Sequence, residues 1–297
     1  MKSDVSQLMG LSIMKSKEGV KQPMKKFHRT IIYLILLILA SNGLIGCSGA
    51  LSNVNIFTDK EEVELGKQFS GEIEKDLTIY NDAVVTAYID ALGQRMARVS
   101  KRNNITYHFK VVDTEVVNAF ALPGGYLYVN LGLIRASENE SELAGVIGHE
   151  IGHVVGKHGA KQLTKQLGIV AVMQLVLGKN PNKMAELAAG VVATGTLMKY
   201  GRDAETEADG FAVQEMYAAG IDPEGMAAFF EKLFKLQQRQ PSQLEQIFST
   251  HPPTTGRISN VRAQIASLPP KSNLQKDSPR FHEIKRRLPP PKKEQKK

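Results

Sequence analysis

The sequence predicts an α+β fold, mainly helical, with a small antiparallel sheet beside one central helix. Three observations carry this. The stretch 141–167 has no proline, and its Leu143, Val146, Ile147, Ile151, Val154 and Val155 spread over much of a helical circumference. A helix apolar on so many sides belongs inside a core. Tyr126-Leu127-Tyr128-Val129-Asn130 alternates and is rich in aromatic and β-branched residues, which reads as a strand. Pro123-Gly124-Gly125 before it marks a turn, so 116–122 and 126–131 are expected to form a hairpin.

Helices are expected at about 59–76, 82–100, 138–167, 183–198, 203–219, 223–238 and 254–267, with two or three strands between about 105 and 131. Ser137 and Glu140 have the spacing of a capping box at the start of the central helix. Helical periodicity continues past Gly156, so 138–167 is expected to run unbroken. Pro223 after Asp222 suits the first position of the sixth helix. The apolar stretch 168–177 is too short to span a bilayer and reads as core or as a flap over a cleft.

The N-terminus reads as an address rather than as fold. Met24-Lys25-Lys26-Phe27-His28-Arg29 is a basic start and 31–40 is an unbroken apolar run, shorter than the ~20 residues of a comfortable membrane span. Leu44-Ile45-Gly46-Cys47 then resembles the lipobox cut before a lipid-modified cysteine in bacterial lipoproteins. Residues 1–46 are therefore expected to be a signal peptide, with 1–23 an upstream extension, and Cys47 to carry a lipid that anchors the chain to a membrane. Segment 47–57 is then a lipidated linker and 58–270 the folded domain. Cys47 is the only cysteine, so the folded body contains no disulfide and depends on its core.

Charge is unevenly placed. The formal net +8 of the 297 residues divides into +5 for 1–46, −4 for 47–270 and +7 for 271–297. The body is mildly acidic, and no finger spacing or basic–aromatic pattern points to nucleic acid. The segment 271–297, with Leu288-Pro289-Pro290-Pro291 and lysine-rich ends, is expected to be a disordered basic tail.

Chemistry concentrates at His149-Glu150-Ile151-Gly152-His153. Residues i and i+4 share a helical face, so His149 and His153 can converge on one ion. Glu150, rotated about 100° from His149, falls beside that ion without taking a coordination position. There it can accept a proton from a metal-activated water, as a hydrolytic zinc site requires. A third ligand must come from elsewhere. Glu205 and Asp209 repeat the i, i+4 spacing, so with Glu205 as ligand Asp209 can hold the outward N–H of a ligating imidazole. Glu207 points about 200° from Glu205 and reads as solvated. On a continuous helix His158 lies about 140° from His153, which excludes it as a ligand.

These residues resemble the gluzincin metallopeptidases, in particular the branch that includes the CAAX prenyl protease and the HtpX-like protease. The closest likeness is to lipid-anchored or soluble periplasmic members, and it extends over 58–268. Asn118-Ala119-Phe120-Ala121-Leu122-Pro123-Gly124-Gly125 resembles the family's active-site edge strand, and Tyr200-Gly201-Arg202 its lead-in to the third ligand. Ser249-Thr250-His251-Pro252, followed by Arg257, resembles its Ser-Thr-His-Pro element. The resemblance implies a zincin-like domain with one zinc on His149, His153 and Glu205, Glu150 as base and Asp209 as supporting acid. It implies substrate pairing along Asn118, Ala119 and Phe120. His251 would be a fourth ligand at rest or a hydrogen-bond donor to the transition-state oxyanion, and the donor role is the one expected. The expected activity is zinc-dependent cleavage of unfolded or misassembled polypeptides, periplasm-facing and anchored, by Ser48 after the cysteine, at the outer membrane. The alternatives are a chaperone-like assembly factor with a latent zinc site and a purely structural zinc protein.

Overall fold

Thr58 sets the first helix. Its hydroxyl accepts from Glu61 N–H while the Glu61 carboxylate reaches back to Thr58 N–H, a reciprocal cap for α1 (Asp59–Ile73). The computed structural model describes residues 54–55, 57–167, 199–237, 247, 249–252 and 254–291, all within one compact unit, Ala50–Lys297. The signal peptide, Cys47, the 168–177 flap and the 183–198 helix expected from the sequence lie outside these residues.

Asp82 caps α2 (Ala83–Ala97) through the N–H groups of Val84 and Val85. The sheet follows: β1 (His108–Val112), β2 (Ala119–Leu122) and β3 (Tyr126–Asn130), in spatial order β1-β3-β2. β2 and β3 form the expected hairpin around Pro123–Gly125, where Gly124 takes φ 75°. β1, however, runs parallel to β3, so the sheet is mixed rather than antiparallel. The 113–118 connection carries the chain past the central position, and the hairpin then returns β3 into it.

A short helix missed by periodicity, α3 (Leu131–Ala136), follows β3. Its presence moves the cap of the central helix. Ser137 closes α3, its hydroxyl donating to Leu133 O, so Asn139 rather than Ser137 caps α4 (Glu140–Val155) through Glu142 N–H. Residues 140–154 are all buried, as the broad apolar face requires.

The expected continuous helix breaks after α4. Lys157 adopts φ 55°, and α5 (His158–Leu167) starts anew. A left-handed lysine costs about 1 kcal/mol, which its Nζ contact to Asp59 Oδ1 at 2.7 Å helps to offset. Beneath it, Arg102 forks onto both Glu62 oxygens at 2.8 and 2.9 Å and donates to Val154 O at 2.8 Å, tying α1 to the end of α4.

Further helices follow along the chain, among them α6 (Arg202–Ala218), α7 (Glu224–Gln237), α8 (Thr255–Ala266) and α9 (Pro279–Arg287). α4 lies tightly against α6, where a Cβ on Gly152 would come 2.5 Å from Ala208 O. α9 corrects the expectation of a disordered tail from residue 271. Phe281 and Ile284, three residues apart among arginines and lysines, are fully buried in the main core. Gln275 also bridges to Ile221 and accepts from Arg95 Nη1 at 2.8 Å.

Glu215 on α6 is 3 % exposed, and neither carboxyl oxygen has a partner among the described residues. Burial raises its pKa well above the ordinary 4.5, so it folds protonated. The unfolded chain releases that proton above roughly pH 4.3. Below this pH the group is neutral to stability; above it, stability falls with rising pH until the folded pKa is reached. Glu215→Gln is therefore expected to stabilise the protein, by about 1.4 kcal/mol more for each pH unit within that window. Urea unfolding at several pH values checks this, and a difference independent of pH would refute it.

Candidate active site

The tight contact of α4 with α6 brings two i, i+4 pairs face to face. His149 and His153 present their Nε2 atoms 3.0 Å apart with rings at 89°. Glu205 meets both, Oε2 at 3.4 Å from His149 Nε2 and Oε1 at 3.3 Å from His153 Nε2. His251, at the end of the turn before α8, adds Nδ1 at 2.9 Å from Glu205 Oε1 and 3.3 Å from His149 Nε2. One donor atom from each of the four lies within 4.8 Å of the others, and all four residues are buried. Three imidazoles and a carboxylate are a donor set that zinc accepts.

The electrostatics also suit a cation. Burial opposes ionisation of Glu205, but His251 and His149 outweigh it and hold the carboxyl far below its usual range. Burial likewise opposes charge on His149, yet Asp209 and Glu205 raise it to about 9. His153 goes the other way, lowered by burial and by His149. The carboxylates thus already draw positive charge into the cluster.

Asp209 Oδ1 lies 2.8 Å from the outward Nδ1 of His149. Arg257 on α8 grips Asp209 through Nε at 2.9 Å and Nη2 at 2.7 Å. Its Nη1 is 2.8 Å from Glu205 Oε2, and the guanidinium lies over the Phe230 ring at 4.6 Å. Glu150 is 2 % exposed; burial raises its pKa, opposed by His251 and His149. Its carboxylate faces Ala121 N–H on β2 and lies 3.6 Å from His251 Nε2. That is the setting of a proton acceptor tuned upward from an ordinary glutamate.

A family model described as "Peptidase family M48" matches residues 83–265. The chain belongs to peptidase family M48. It is 32 % identical over 219 residues to the β-barrel assembly-enhancing protease of Escherichia coli K12, covering 71 % of this chain and 45 % of that protein. The metalloprotease YcaL of the same organism is 33 % identical, covering 59 % of this chain and 70 % of its own. The metalloprotease LoiP, also from that organism, is 28 % identical over 76 % of this chain and 89 % of its own. The chain thus spans less than half the length of its assembly-enhancing relative. M48 peptidases use zinc, and the four-donor cluster is able to hold it.

Within this M48 domain the sequence reading missed several contacts. The helix break swings His158 back, so that its Nδ1 lies 2.7 Å from His153 Nδ1. His158 still stands outside the four converging donors, but the continuous helix that excluded it does not exist. Glu207, expected to be solvated, is 47 % exposed yet lies 3.2 Å from His158 Nε2. Tyr200 stacks on His153 with centroids 4.0 Å apart. On β2, Asn130 N–H donates to Asn118 O, which turns the main-chain groups of residues 118, 120 and 122 towards β3 and those of Ala119 and Ala121 away from it. Of Asn118, Ala119 and Phe120, then, only Ala119 offers outward backbone, and Ala121 is the residue the sequence reading left out. Arg257, noted in the sequence only as the residue after the Ser-Thr-His-Pro element, turns out to be the cation that the buried Glu205 and Asp209 carboxylates need.

Proposed function

We propose that this chain is a zinc-dependent endopeptidase that cleaves unfolded or misassembled polypeptides in a bacterial cell envelope. The observation that carries this reading is Glu150 buried between the four-donor cluster and the outward edge of β2. His149, His153 and Glu205 would hold one zinc ion. Bound zinc supplies Lewis acidity, polarising the peptide carbonyl and making water easier to deprotonate. Glu150 takes the proton from the attacking water and hands it to the leaving amine. Asp209, fixed by Arg257, keeps the His149 ring turned so that Nε2 faces the cluster. An extended peptide pairs with the outward backbone of Ala119, which reads main chain rather than side chains.

His251 is read here as a resting fourth ligand, against the oxyanion role expected from the sequence. Nδ1 at 2.9 Å from Glu205 and inside the four-donor set favours this. The same contact is what supports the second reading, an assembly factor whose zinc site stays latent. Casein cleavage with and without chelator separates them: chelator-sensitive turnover is expected, and none at all would sink the peptidase reading. His251→Ala should hold or raise activity; a fall of roughly 10²–10³ with metal retained would restore the oxyanion role.

For location, we infer a lipid on Cys47, facing the periplasm at the outer membrane, from the pattern 44–47 and Ser48 after it. No helix among the described residues is long and apolar enough to cross a membrane. Mass spectrometry of the mature N-terminus should find a lipid-modified Cys47 as the first residue, and an unmodified Cys47 within a longer chain would rule out the lipid and favour an uncleaved anchor.

A further inference from the structure

The two histidines of α4 are held differently. His149 leans on a carboxylate, Asp209, itself clamped by Arg257. Among the described residues, no carboxylate stands at the outward nitrogen of His153. Its Nδ1 faces another imidazole nitrogen, Nδ1 of His158, at 2.7 Å. His158 is 3 % exposed, and its other nitrogen lies 3.2 Å from Glu207 Oε2. We propose that His158 and Glu207 are positioning residues that fix the ring and tautomer of His153 for metal binding.

Proton bookkeeping along the chain allows one arrangement. His153 turns Nε2 to the cluster, so as a ligand it carries its proton on Nδ1. That N–H needs an acceptor, which obliges His158 Nδ1 to be bare. The proton of neutral His158 then sits on Nε2, where it donates to Glu207, an acceptor-only carboxylate. Glu207 therefore decides the His158 tautomer, and His158 decides that of His153. Tyr200 stacked on the His153 ring supplies the remaining restraint, against tilting. The left-handed turn at Lys157 is what makes this possible, since a continuous helix would carry His158 to another face.

The inference rests on His153 being a zinc ligand, so the test reads zinc first. Zinc release from the full chain into a chromogenic chelator is measured for each variant, followed by kcat/KM on casein. His158→Phe, similar in size but without an acceptor, should release zinc about 10–100-fold faster. His158→Asn, whose Oδ1 can take the place of Nδ1, should recover most of that loss. Glu207→Gln, which still accepts through Oε1, should behave nearly as the parent. Glu207→Lys can only donate; it reverses the His158 tautomer and should resemble His158→Phe. Asp203→Lys, the same charge change one turn earlier on α6, should leave release within about threefold. Should His158→Phe fail to fold, the Glu207 and Asp203 pair decides alone, since both positions are at the surface. Parent-like zinc release in His158→Phe or Glu207→Lys overturns the relay, as does an Asp203→Lys effect equal to that of Glu207→Lys. A parent protein that binds no zinc overturns the ligand reading beneath it instead.

Discussion

Glu150→Gln is expected to lower peptide cleavage by about 10²–10⁴-fold while leaving zinc content and folding intact. The amide has the same shape, so it fills the same buried space. What it loses is the capacity to take up a proton. The raised pKa of Glu150 has burial as its main cause, and Gln resembles the neutral form that burial favours. The substitution should therefore cost little stability or even add some. Turnover within tenfold of the parent, at equal zinc content, would exclude Glu150 as the base.

The second large effect is expected at Arg257. Its guanidinium lies 2.7–2.9 Å from Asp209 and Glu205 oxygens, and all three side chains are nearly out of water. Arg257→Met keeps the stem over Phe230 but leaves two buried carboxylates without their cation. Removing one partner of a buried ion pair costs roughly 3–5 kcal/mol. The loss should be largest in zinc-free protein and partly recovered when zinc is added, because a bound cation replaces some of the missing charge. Urea unfolding with and without zinc measures both. A change below about 1 kcal/mol in the zinc-free protein would show that the clamp contributes little.

Much of this site is legible in the sequence because its parts are local. The pairs 149/153 and 205/209 need only helical spacing to be placed on shared faces, and the helices carrying them form as expected. What escaped is decided elsewhere in the chain. Lys157 carries no mark of its left-handed conformation, since a lysine there is tolerated only through its tertiary contact with Asp59. Without that break, His158 and Glu207 could not be related. The mixed sheet was hidden for a similar reason: the hairpin is local, but the pairing of β1 with β3 spans the whole hairpin. The α9 segment was misjudged on composition, because two buried residues in a strongly basic stretch are enough to seat a short helix.

The four-donor cluster also has a consequence for the order in which the site is assembled. His149 and His251 are 102 residues apart in the chain, and His251 and Glu205 are 46 apart. Such distant partners meet only after long loops have closed, which places their union late in folding. A nascent or partly unfolded chain has the α4 histidines but lacks Glu205 and the Arg257 clamp in position. In the proposed peptidase, any cleavage that needs all four donors would thereby wait for the tertiary structure to close around them.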